Sequence, residues 1–246
     1  MKSKYFILDA SWLAHTKFFS GRHGEFFETI DYFNSSGRVI LCWDNPEAKN
    51  HRKQMLPDYK SNRPPKSDEL IDYINEVMVR CRDLCLWQYK PKEGEGDDAI
   101  HTIANSFRAT CGIVSCDKDF LQCVSENISF VKFSKNLFKE ITNENIVEIT
   151  GFAPSQWLQI QALCGDQADN YSGVRGIGET IAKKIIKLYP DFVYQVLRGE
   201  SSSLIDEVRK TSPSLLKHAV NILNNVQALN LSYEMARLVM VKVERI

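Results

Sequence analysis

Nine carboxylates recur in five small groups along this 246-residue chain: Asp9, Asp44, Glu95-Gly96-Asp97-Asp98, Asp117-Lys118-Asp119 and Asp166-Gln167-Ala168-Asp169. Carboxylates repel one another, and taking them out of water is costly. A fold that gathered them would need bound cations to offset the repulsion, and hard oxygen ligands suit magnesium or manganese. A cluster of this size points to a two-metal site for cleaving phosphodiesters.

The elements that must position these acids read as alternating strands and helices up to about residue 135. Strands are expected at 4–8, 38–43, 85–88, 112–116 and 128–133. Helices are expected at 25–34, at 67–81 behind an N-capping Ser67, and at 96–110. The helix at 67–81 turns Leu70, Ile71, Ile74, Val77 and Met78 to one face. Such alternation predicts a mostly parallel sheet with helices on both faces. In such a sheet ligands bind beyond the carboxyl ends of the strands. Asp9, Asp44 and Asp117 each follow a strand at that end. From about residue 143 the strand signals fade into short helices. The expected division is therefore an α/β core at 1–142, including a polar segment at 45–66, followed by a helical region at 143–246.

Each motif has a plainer reading beside the chemical one. Glu95 and Asp98 lie three apart and share a helix face, while Asp97 points elsewhere. Acids at a helix start also serve as caps, although three exceed what a cap needs. Gly173-Val-Arg-Gly-Ile-Gly178 precedes a run containing Lys183 and Lys184. A tight glycine turn before a helix N-terminus offers N–H groups to a phosphate, the pattern of a helix–hairpin–helix at 165–186 that grips a nucleic-acid backbone. A glycine cap between two helices is the plain alternative. The 45–66 segment holds Lys49, His51, Arg52, Lys53, Lys60 and Arg63 around Tyr59. Basic residues interleaved with an aromatic suit single-stranded nucleic acid, and a solvated loop would look similar. His15, His23, His101 and His218 have no partner at ligand spacing.

Composition bounds the class. Hydrophobic residues make up 43% and charged residues 25%, as in an ordinary soluble domain. No apolar run approaches a membrane span. The basic start before Tyr5–Leu8 is too short in its apolar part for a signal peptide. Cys42, Cys81, Cys85, Cys111, Cys116, Cys123 and Cys164 form no zinc or disulfide pattern and read as buried thiols in a reducing, cytoplasmic setting. Net charge is zero from 31 basic and 31 acidic residues. Setting aside the nine clustered acids leaves 22 against 31 bases, so the remaining surface carries a positive excess able to steer a polyanion.

Taken together, the chain resembles the flap endonuclease / 5′-nuclease family, found alone in bacteriophages and fused to bacterial repair DNA polymerases. The likeness runs from FILDAS at 6–11 to about Ile186. It rests on Asp9, Asp44, the segment Arg52, Tyr59, Lys60 and Arg63, the Glu95-Gly96-Asp97-Asp98 run with glycine for the family's alanine, Asp117-x-Asp119, and Gly165 to Asn170 followed by the glycine turn. The resemblance implies a PIN-like nuclease core and a two-metal reaction giving 5′-phosphate products. It implies one ion on Asp9, Asp44, Glu95 and Asp97, a second on Asp117, Asp119, Asp166 and Asp169, and Asp98 acting behind the ligands or through water. Magnesium is the expected metal, with manganese a substitute. Lys60 and Arg63 would hold the scissile phosphate, Tyr59 would stack on a base, and Arg52 would belong to the same basic arch. Gly173, Gly176, Gly178, Lys183 and Lys184 would hold duplex DNA, with a potassium ion at the hairpin.

Implied substrates are branched or 5′-flap DNA or RNA–DNA primer junctions. Replication proteins are implied partners, and a monomer is implied in the cytoplasm, of the host if phage-encoded. The end at 246, with no polymerase module, favours a standalone phage-type enzyme. The rival readings are an inactive nucleic-acid-binding protein of this fold and a PIN-like ribonuclease. A haloacid-dehalogenase-type phosphatase would need an aspartate where Ser11 stands.

Overall fold

The computed structural model describes residues 4–134 and 137–246. The first three residues, part of the basic start weighed as a signal sequence, lie outside the described residues. In chain order the elements are β1 (Tyr5–Asp9), α1 (Ala10–Phe19), α2 (Glu25–Asn34), β2 (Arg38–Cys42), α3 (His51–Met55), α4 (Asp68–Asp83), β3 (Trp87–Pro91), α5 (Gly96–Ser106), β4 (Cys111–Ser115), β5 (Ile128–Ser134), β6 (Leu137–Ile141) and α6 (Ile146–Thr150). They continue as α7 (Pro154–Cys164), β7 (Gly165–Asp166), β8 (Tyr171–Ser172), α8 (Glu179–Leu188), α9 (Phe192–Leu197), α10 (Ser201–Thr211), α11 (Leu216–Asn224), α12 (Val226–Ala236) and β9 (Val243–Arg245).

Contacts divide the chain into two compact units. The first comprises 1–51, 65–151 and 238–246, and the second 52–64 and 152–237. This differs from the expected split at residue 142 in three ways. Residues 143–151 stay with the first unit, the basic segment at 52–64 belongs with the helical unit, and the last nine residues return to the first unit. The last two are long-range pairings that local periodicity does not carry.

The first unit is a seven-stranded sheet in the order β6-β5-β4-β1-β2-β3-β9. The five inner strands are parallel, and β6 and β9 close the edges antiparallel. The predicted mostly parallel sheet is therefore present. Burial on both faces explains the unbroken apolar runs of β1, β2 and β4. One row of side chains, Phe6, Leu8, Val39, Leu41, Val114 and Val131, packs against α1, α2 and α4. Alternation sends Ile7, Ile40 and Ile113, aligned across β1, β2 and β4, to the other face, and α5 packs on that sheet.

Ser67 caps α4 as expected, its Oγ accepting the Leu70 N–H at 3.3 Å, although Ile71 of the expected apolar face is exposed. Helix α1 gives no signal in the sequence because Trp12, Leu13, Phe18 and Phe19 surround it with apolar side chains. The chain moves from β1 to β2 and β3 on one side and then to β4 on the other side of β1. The sheet order therefore reverses between β1 and β4, the place at whose strand ends ligands bind in open parallel sheets.

In the second unit α7 is central, packing against α8, α9 and α12. A small core joins Tyr59 to Leu158, Tyr171, Met235 and Ala236. Among the described residues no helix is long and apolar enough to cross a membrane.

Candidate active site

The carboxyl edge of the first unit's sheet receives Asp9 from the last position of β1. Asp9 also caps α1, with Oδ1 accepting the Trp12 N–H at 3.0 Å. Its Oδ2 accepts from the Ser115 hydroxyl at 2.9 Å. Burial raises the Asp9 carboxyl from its ordinary value near 3.8 to about 7, and the charges of Asp44 and Asp117 add to the rise. The bonds from Trp12 and Ser115 oppose it. Asp9 therefore feels the charge of Asp44 and of Asp117, the two acids expected from separate strands.

Asp44 follows β2 by two residues. Its N–H donates to Ser11 Oγ at 2.7 Å, and its Oδ2 lies 3.7 Å from Lys66 Nζ. A Cβ on Gly96 would stand 2.5 Å from Asp44 Oδ1, so glycine at this position lets the Asp44 carboxylate rest against the start of α5. Asp117 opens a short 3-10 turn, and its Oδ1 accepts the Asp119 N–H at 2.9 Å. The Asp117 N–H in turn donates to Ser115 Oγ at 3.2 Å. Ser115 thus ties the acids of β1 and β4 together. Nothing in the sequence gives Ser11, Ser115 or Lys66 a role at this site. A hydroxyl one residue inside a strand end or helix start carries no motif of its own.

The acids of α5 do two jobs. Glu95 and Asp98 form a reciprocal capping box. Asp98 is fully buried, with Oδ2 accepting the Glu95 N–H at 3.0 Å and Oδ1 the Val239 N–H at 3.1 Å. Asp98, expected to act behind the ligands or through water, is buried and bonds the Glu95 and Val239 N–H groups, so it positions Glu95 and the returning chain at 239. Asp97 is half-buried beside them. Among the described residues no three His, Cys, Asp or Glu side chains lie close enough together to hold one ion. The donor set is nevertheless all hard oxygen, which suits a hard divalent cation.

In the second unit Asp166 turns back on its own loop, Oδ1 accepting the Ala168 N–H at 2.7 Å. Asp169 gathers the basic segment. Its Oδ2 accepts the Tyr59 hydroxyl at 3.1 Å and lies 3.6 Å from Lys60 Nζ, and its Oδ1 meets the Arg63 guanidinium. Lys60 Nζ also sits 4.9 Å from the centre of the Tyr59 ring. Two residues expected to contact nucleic acid lie buried within this unit. Tyr59 is 3% exposed in the core of this unit and offers no face to a base. Arg52 is 2% exposed and donates to the carbonyls of Met235 at 2.9 Å and Arg237 at 2.7 Å.

The glycine turn runs from β8 into α8. A Cβ on Gly173 would lie 2.3 Å from the Leu163 carbonyl oxygen, so only glycine passes there. Gly176 has a left-handed φ of 81°, and Gly178 precedes α8. Lys183 pairs with Glu179 at 2.6 Å and lies over Trp157, while Lys184 is exposed.

The family model described as 5'-3' exonuclease, N-terminal resolvase-like domain, matches residues 4–151. A 5'-3' exonuclease of Bacillus subtilis (strain 168) is 36% identical over 155 residues, which is 61% of this chain and 52% of that protein. A DNA polymerase I of Rhizobium leguminosarum is 31% identical over 194 residues, 78% of this chain and 18% of that protein. The chain thus spans about half of the first relative and a small part of the second. The T5 D15 protein co-crystallised with metal ions shares the fold, with a TM-score of 0.72 at 20% identity over 95% of this chain and 89% of that one. By the match over residues 4–151, the chain belongs to the 5'-3' exonuclease family, through its N-terminal resolvase-like domain.

Proposed function

We propose that the chain is a structure-specific 5′-nuclease, a 5′-3′ exonuclease and flap endonuclease that hydrolyses DNA phosphodiesters and leaves 5′-phosphate ends. The observation that carries this reading is the carboxyl edge of the sheet at β1 and β4, where Asp9 and Asp117 both bond to Ser115 and the charge of Asp44 helps to raise the Asp9 carboxyl. One ion would be held by Asp9, Asp44, Glu95 and Asp97, and another would take Asp117 and Asp119. Asp166 and Asp169 are proposed as further ligands. Magnesium suits this oxygen set, and manganese substitutes for it. Bound there, divalent ions would supply an acidified water and offset charge on the attacking and leaving oxygens.

The protein's own residues do the rest. Ser115 and the Trp12 N–H fix the rotamer of Asp9. Ser11 fixes the chain at Asp44. Lys60 and Arg63 exchange the Asp169 carboxylate for the scissile phosphate and stabilise its growing charge. No side chain serves as nucleophile. The turn at 173–178 and Lys184 hold the duplex backbone as a helix–hairpin–helix, with a potassium ion at the turn. The substrates are 5′ flaps and RNA–DNA primer junctions formed during replication. The enzyme acts as a cytoplasmic monomer, and replication proteins are its partners.

Incubating the protein with nicked and flapped duplexes in magnesium or EDTA tests the reading. The expected result is a shortened strand whose new end is ligatable without a kinase, formed only with the metal. A new end that requires kinase treatment before ligation contradicts it.

A further inference from the structure

Two segments of the second unit, more than a hundred residues apart in sequence, are stitched together by bonds that leave the Asp169 carboxylate out. Asn170 Nδ2 donates to the Asp58 carbonyl at 2.8 Å and to Ser61 Oγ at 3.0 Å. The Lys60 N–H donates to the Asp169 carbonyl at 2.9 Å, and Asn62 Nδ2 donates to the Gln167 carbonyl at 3.1 Å. At the centre of this seam stand two non-glycine residues with left-handed backbones, Lys60 at φ 57° and Asn170 at φ 56°. Asparagine tolerates that conformation, but lysine reaches it at a cost and holds it only where its surroundings enforce it. The Asn170 carboxamide brackets Lys60 from both sides, at residues 58 and 61.

We propose that Asn170 is a positioning residue: its carboxamide clamps the 58–61 turn so that Lys60 keeps its left-handed backbone and a fixed direction for its ammonium. The division of labour follows from the bonds. The Asp169 carboxylate can exchange Lys60 and Arg63 for another partner while the main-chain and carboxamide bonds keep the turn in place. Lys60 then meets a phosphate without first reordering its backbone, which keeps the entropy of positioning out of the reaction step. The catalytic half of this proposal rests on the reading that Lys60 contacts the scissile phosphate. The clamp itself does not.

The test uses the full chain and two variants. Asn170→Asp keeps size and tolerance of the left-handed backbone but removes both donors. Ser61→Ala removes one acceptor alone. Amide hydrogen exchange without DNA or metal should show peptides over 58–63 opening roughly tenfold faster in Asn170→Asp, with a smaller change in Ser61→Ala and the α7–α8 peptides unchanged. Single-turnover cleavage of flap DNA should fall roughly tenfold in Asn170→Asp, while affinity for the uncut duplex in EDTA stays within about twofold. Unchanged exchange over 58–63 overturns the clamp. Faster exchange with unchanged cleavage overturns the positioning role. A wild-type protein that cleaves nothing removes the catalytic half, and the exchange data still decide the clamp.

Discussion

Replacing Asp9 with asparagine removes one charge from the most crowded acid of the site while keeping most of its bonds. The Asn Oδ1 can still accept the Trp12 N–H, which meets Asp9 at 3.0 Å. Its Nδ2 would face Ser115 Oγ, now 2.9 Å from the carboxylate. In the native protein burial lifts this carboxyl from near 3.8 to about 7. A rise of about three units corresponds to about 4 kcal/mol of destabilisation when the group is ionised. The Ser115 hydroxyl loses its acceptor in the variant, which costs about 1 kcal/mol, and the site is partly open to water. About 2 kcal/mol of net stabilisation is therefore expected for Asp9→Asn above pH 7, or roughly 6 °C in Tm.

The sign depends on pH. Between about 4 and 7 the folded protein holds a proton that the unfolded chain releases, so wild-type stability falls as pH rises through that window. The variant has no such loss. Thermal melts in EDTA should give a gap that is small at pH 4.5, opens through pH 6 and is complete by pH 8. Added magnesium should then raise the Tm of the wild type more than that of the variant, because the metal stabilises the folded state that binds it. A variant less stable at pH 8, or a gap of equal size at pH 4.5, would refute the reasoning.

Three further substitutions separate the roles of other residues. Lys60→Ala should lower single-turnover cleavage about a hundredfold with duplex affinity nearly intact; an equal loss of affinity for uncut flap DNA would contradict a role confined to the transition state. Asp169→Asn should shift the magnesium dependence of cleavage to higher concentration, and an unchanged titration removes Asp169 from the ligands. Arg52→Ala strands the carbonyls of Met235 and Arg237 and should cost about 3 kcal/mol in denaturant unfolding, with DNA affinity at fixed salt unchanged; weakened DNA binding at full stability would return Arg52 to the binding surface.

The parallel core was legible because its strands are buried on both faces. Runs such as Phe6-Ile7-Leu8 and Val39-Ile40-Leu41 announce themselves, and the acids that follow them mark the sheet's carboxyl edge. The edge strands were not. Leu137–Ile141 alternates weakly, and Val243–Arg245 is three residues paired across most of the chain. Strand β3 begins at Trp87, later than expected, since its pairing with β2 starts there. The basic segment misled for a different reason. Arg52 and Tyr59 sit in a polar, charged sequence, and what buries them is backbone and side chain from residues 158 to 237. A guanidinium satisfied by distant carbonyls looks the same in sequence as one waiting for a phosphate. Asp98 shows the same ambiguity at a helix start, where a cap and a ligand require the same residue.

The most direct measurement is cleavage of a 5′-labelled flap substrate in magnesium, with products sized at single-nucleotide resolution and an EDTA control. The account predicts metal-dependent release of a short 5′ fragment cut close to the junction between flap and duplex. Tight binding of the branched substrate without cleavage, or cleavage spread evenly along the single strand, would contradict it.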